Sequence, residues 1–142
     1  MCNLPAEVAA NEHFTRVLFQ GSHFARTTQR IRPQAIKPRY NNEKARWETS
    51  THRTDGLQAD DIWVLGYQHV ENVSGGRRIL ARASGVASVV TTRGLQWDVN
   101  GQPYTRHADI IGWSNDDKDR RMMVATEIAN TMTLEIDPRP VV

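Results

Sequence analysis

Cysteine is nearly missing from this sequence. Cys2 stands alone among 142 residues, so no disulfide closes within the chain and no zinc site built on paired thiolates can assemble. A reducing compartment is the expectation. Also lacking is any run of about 18 consecutive apolar residues, which leaves no candidate for a membrane-spanning helix. The first ten residues lack the order of a secretory leader, charge followed by a long apolar stretch, and the reading is a cytoplasmic protein with no membrane association. Phenylalanine occurs only three times and the mean hydropathy is −0.58, so a core has to lean on aliphatic side chains and four tryptophans. No phosphate-binding glycine loop, closed metal-ligand spacing or nucleophile motif is specific enough to name a reaction, and nothing calls for a cofactor.

What is present has a globular balance, with 39% hydrophobic and 24% charged residues. A chain of this length buries roughly two thirds of the surface its unfolded form exposes, which fits one domain over residues 1–142. The net charge of +2 is too small for a polycation. Its distribution says more. Residues 13–53 hold nine basic side chains against two acidic ones, Glu43 and Glu48, whereas the remainder is acidic on balance. Either the basic half attracts an anionic partner, or the two halves pair with each other across the fold.

Along the chain, the apolar run from Phe14 to Phe19 suits a helix turn or a strand. Residues 27–40 contain Pro33 and Pro38, and the residue before each proline is pushed away from helical dihedrals. This places an extended, mostly exposed basic segment at residues 26–46. Residues 46–54 are rich in threonine and read as a strand. Ala59 to Leu65 reads as a two-turn helix with acids at its start and Gly66 as its left-handed stop. Residues 74–76 signal a loop, residues 77–83 a strand, and Ser84 caps a short helix over residues 85–92, ended by Gly94. Leu95 to Val99 alternates like a half-buried strand and pairs across the turn at residues 100–103 with residues 104–113. From the cap Ser114 a longer helix presents Val124, Ala125, Ile128, Ala129 and Met132 on one face. Leu134 to Ile136 then closes a strand-helix-strand crossover. The expected class is α+β: a small mixed sheet packed by two short helices and one longer C-terminal helix.

Two polar clusters carry the candidate chemistry. Alternation on a strand puts His52 and Thr54 on one face and Arg53 and Asp55 on the other, so Arg53, oriented by Asp55, is a candidate anion clamp beside Gly56; an ordinary surface pair is the plainer reading. His107 and Asp109 share a face about 7 Å apart, where a carboxylate can fix an imidazole tautomer for acid-base work; a hydrogen-bonded, semi-buried histidine is the plainer reading. His52, Asp55, His107 and Asp109 form one catalytic pocket only if their strands are neighbours. A metal site from His52, His69, His107 and Asp109 matches no closed zinc pattern. The tryptophans read as core, with Trp47 in the basic half as a candidate stacking surface.

The segments at residues 53–57, 62–63 and 81–83 and, above all, Arg106-His107-Ala108-Asp109-Ile110-Ile111-Gly112-Trp113 resemble a group of small uncharacterised bacterial proteins over about residues 22–136. The resemblance implies a bacterial or phage source and one domain, and it assigns no reaction. Gln58 and Ser114 depart from the pattern, standing where a capping serine and a proline are usual. The leading functional expectation is a non-enzymatic binding module whose basic half, with Arg30, Arg32, Lys37, Arg39, Arg53 and Arg106 as anion-binding residues, engages nucleic acid or an acidic protein. The alternative is a small enzyme acting on a phosphate-containing or nucleotide substrate, with His107 and Asp109 as acid-base pair.

Overall fold

Residues 13–18 pair with a strand on either side, which resolves the first ambiguity in favour of a strand lying inside the sheet rather than at its edge. The structure is a computed structural model that describes residues 4–73, 75 and 77–140. Cys2 and two residues of the loop at 74–76 lie outside that set. Strand β1 (His13–Leu18) is followed by the short pair β2 (Phe24–Ala25) and β3 (Arg30–Ile31), then β4 (Arg39–Asn41) and the long β5 (Arg46–Arg53). Helix α1 (Ala59–His69), β6 (Ala81–Val86), the single-turn α2 (Ser88–Thr91), β7 (Gln96–Asp98), β8 (His107–Ile111), α3 (Lys118–Thr131) and β9 (Thr133–Ile136) complete an α+β fold.

The main sheet runs β7-β8-β5-β1-β6-β9, with β4 pairing additionally with β5. Every pairing among the described residues is antiparallel, which corrects the expected mixed sheet. The expected crossover is present: four antiparallel steps set β8 and β9 parallel, and α3 carries the chain past β5, β1 and β6. One face of the sheet, with Phe14, Leu18, Ala83, Ile110 and Leu134, packs under α3, whose Val124, Ala125, Ile128 and Ala129 are buried together with Met132 just beyond its end. The predicted apolar stripe therefore faces inward. On the opposite face α1 covers Val17 and Arg82, which are cross-strand partners. Helix α1 leaves the β5/β8 part of that face to polar side chains.

Several boundaries depart from expectation for identifiable reasons. Gly66 does not stop α1; the helix passes through it because a β-carbon there would meet Val17 Cγ1 at 3.1 Å and Ile79 Cδ1 at 3.3 Å. Close approach, not a turn, is what this glycine serves. Ser84 caps no helix: it sits within β6, its hydroxyl bonded to that of Thr15 at 3.0 Å, and the helix begins only at Ser88. The cap of α3 is Asp117, which accepts from the Arg120 amide at 2.9 Å, while Ser114 accepts from the Asp117 amide one turn earlier. The basic segment is mostly exposed, as expected, but it is not extended throughout. Pro33 opens a 3-10 turn over Pro33–Ala35, and Ile31, Ala35, Ile36 and Pro38 turn inward beneath α3 while the cations between them point out.

Candidate functional site

Strand β5 changes partners along its length. Near its end it pairs with β1 at Phe14 with Arg53 and Thr15 with His52; near its start it pairs with β4 from Arg39 to Asn41. Where β1 and β4 part, Arg16 spans the gap, Nε donating to the Ala35 carbonyl and Nη1 to that of Ser50, each at 2.6 Å. A cavity of about 420 Å³ opens at this fork. Four cations line it, Arg16, Lys37, Arg39 and Arg77, with Glu48 as the single carboxylate. Burial first, then the nearby Arg39 and Arg77, pushes the Arg16 guanidinium down to about 10. Burial and the charges of Arg16, Lys37 and Arg39 likewise depress His23 on the same wall. In both, the neighbouring cations add to the larger effect of burial.

His52 and Tyr104 line the same cavity. The His52 Nδ1 lies 3.1 Å from the Tyr104 hydroxyl, whereas its Nε2, buried, has no hydrogen-bond partner among the described residues. Burial, reinforced by His107 and Arg16, holds this imidazole down at about 3, so it is neutral at physiological pH. Tyr104, its phenol pushed up by burial, is stacked on His69 at 4.5 Å between ring centroids.

His107 sits directly opposite His52 across the β5/β8 pairing, and Asp109 opposite Ser50, so three of the four proposed catalytic residues do share a face. Asp55 does not join them. It lies off the end of β5 and pairs with exposed His13 at 3.1 Å, an interaction that lowers its carboxyl. His107 and Asp109 share a face as expected, and their side chains lean together from the strand's repeat of about 7 Å to bring His107 Nε2 within 3.5 Å of Asp109 Oδ1, while its Nδ1 meets Asn100 Oδ1 at 3.3 Å. Asp109 is also held by Asn100 and Ser50, and Arg46 ties it to Asp98. Burial lowers His107 and raises Asp109. Neither residue lines the cavity, and both imidazole nitrogens are occupied. The network pins the β7/β8 hairpin to β5.

The expected anion clamp at Arg53 is overturned. Arg53 faces away from Asp55 and forms a bidentate pair with Glu12, at 2.7 and 2.6 Å, both side chains 3% exposed. Arg106 is spent on backbone, donating to the carbonyls of Arg53 and Asp55. Lys37 and Arg39 do reach the cavity; Arg30 and Arg32 are exposed outside it. Trp47, the candidate stacking surface, carries the Arg121 guanidinium at 3.8 Å from its ring centroid. Pairing between the two halves of the chain is confined, among the basic residues 13–53 and within the described residues, to Arg46 with Asp98 and Asp109. No group of three or more histidine, cysteine or acidic side chains that could hold a metal occurs among the described residues.

Arg16, Arg77, Tyr40 and Tyr104 were not singled out in the sequence. Arg16 carried a signal, a lone cation within the apolar run from Phe14 to Phe19; Tyr104 and Arg77 carried none, because they reach the cavity from loops. Comparisons with known proteins found no matching family model, no matching curated protein and no matching solved structure. No helix among the described residues is long and apolar enough to cross a membrane.

Proposed function

We propose that this chain is a non-enzymatic binding module whose cavity at the β1/β4 fork holds a phosphate-bearing segment of single-stranded nucleic acid. The observation that carries the reading is the ratio of four cations to one carboxylate around a space of about 420 Å³, within the range of ligand pockets and too small for a duplex. Phosphate suits guanidinium forks, and Tyr40, 46% exposed on the rim, offers a ring for a base. His52, neutral and bonded through Nδ1 to the Tyr104 hydroxyl, lines the same wall without opposing the cations. The bacterial or phage cytoplasmic setting implied by the resemblance of residues 106–113 belongs to this proposal. The enzymatic alternative has less support, since His107 and Asp109 stand outside the cavity.

Fluorescence anisotropy with a labelled oligothymidylate tests the reading. Affinity should fall with salt at a logarithmic slope of roughly −0.7 for each phosphate contacted. Lys37→Glu and Arg39→Glu should each weaken binding by about tenfold or more, and Arg30→Glu should leave it within about twofold. Absence of salt-sensitive binding would refute the nucleic-acid reading, and equal losses at Arg30 and Arg39 would refute this cavity as the site.

A further inference from the structure

A second cavity, of about 470 Å³, lies on the α1 face of the sheet, where the start of α1 overhangs β6 and β9. Leu57 and Ile62 form its apolar wall, and Ser84 and Thr133 are cross-strand partners on its floor. Its central charge is Arg82. This residue is 7% exposed, its guanidinium rests over the Trp63 ring at 4.8 Å from the centroid, and its Nε and Nη1 are buried with no hydrogen-bond partner among the described residues. A cation so placed has lost hydration that only an anion would replace. Glu135 is its direct neighbour across the β6/β9 pairing, yet no ion pair forms between them among the described residues; the carboxylate stays exposed. The rim therefore carries two carboxylates, Asp55 and Glu135, around one buried guanidinium, the reverse of the balance in the first cavity.

We propose that this cavity binds a small zwitterion of the amino-acid class, its carboxylate forked on Arg82 and its ammonium turned toward Glu135 and Asp55. The two rim acids repel a phosphate dianion and attract an ammonium, whereas the half-buried side chains of Leu57 and Ile62 accept an aliphatic side chain. Burial also lowers the Arg82 guanidinium, as expected of a cation awaiting its counter-charge. This site is independent of the fork cavity and shares none of its lining residues.

The test follows the Arg82 Nε–H resonance by proton-nitrogen correlation NMR during titration with L-leucine, with 4-methylpentanoate, which lacks the ammonium, and with 3-methylbutan-1-amine, which lacks the carboxylate. Leucine should shift the resonance saturably in the millimolar range. The acid without ammonium should bind up to about fivefold more weakly, the scale of exposed charge pairs, and the amine should leave the resonance in place. Calorimetry should show leucine binding lost in Arg82→Met, and lost independently in Thr133→Trp, which fills the cavity from an exposed position and keeps Arg82. No shift with leucine, binding that survives Thr133→Trp, or a response to inorganic phosphate as strong as to leucine would each overturn the proposal.

Discussion

His52 and Arg53 are adjacent in sequence and opposite in what they do with charge. Facing one way, Arg53 meets Glu12 in a bidentate pair where both are nearly inaccessible. Removing one member of such a pair strands a buried charge, so Glu12→Ala should cost about 3–5 kcal/mol of unfolding free energy by urea titration, whereas the double change Glu12→Leu with Arg53→Met should cost much less. A small loss for Glu12→Ala alone would mean that solvent reaches Arg53. Facing the other way, His52 is held neutral, its folded value of about 3 lying below its ordinary 6.5. The unfolded chain therefore binds a proton that the folded chain refuses, and stability falls as pH drops through the window from 6.5 toward 3, by up to about 1.4 kcal/mol per pH unit. His107 and His23 act with the same sign, while carboxylates such as Glu71 and Asp98, lowered by Arg139 and Arg46, enter only in the more acidic part. Between pH 6.5 and 5, His52→Gln should flatten the pH dependence of the unfolding free energy. An unchanged slope would refute the buried neutral imidazole.

At the scale of elements, the sequence disclosed most where periodicity was sustained. The stripe on α3 and the alternation through Leu95–Val99 were legible, since each repeats the period of its own structure over several residues. Punctuation misled where it served packing. Gly66 lets α1 approach Val17, and Ser84 bonds a neighbouring strand, so neither marks an end. At the start of α3 all four residues 114–117 are of capping type, and Asp117 is the one that accepts from the Arg120 amide. Asp117→Ala should cost about 1 kcal/mol in chemical denaturation and Asp116→Ala next to nothing, a comparison that reverses if the helix begins earlier. Gly112, between β8 and Trp113, has φ +90° while a β-carbon there would meet only ordinary contacts near 3.6 Å. Backbone strain alone sets the cost of Gly112→Ala, about 1–2 kcal/mol; a neutral result would show that this turn relaxes.

Across the whole molecule, the charge imbalance of residues 13–53 was legible but its use was not, because side chains gather by topology and not by order along the chain. The nine cations divide: Arg53 and Arg46 are neutralised by carboxylates, Arg26, Arg30, Arg32 and Lys44 lie outside the fork, and Arg16, Lys37 and Arg39 converge with Arg77 from the other half. Convergence of like charges opposes folding and favours an anion, and the two effects are separable. Arg39→Gln relieves repulsion on Arg16, whose guanidinium is depressed partly by Arg39. The free variant should therefore melt slightly higher than the parent, by roughly 1–3 °C at low salt, and the gain should shrink as added salt screens the cluster. On the proposed reading, pyrophosphate should raise the melting temperature of the parent by mass action and that of Arg39→Gln less, so that the order of stability inverts at high ligand. A variant that melts lower without ligand would mean that Arg39 is a structural contact and that the four cations do not form one field.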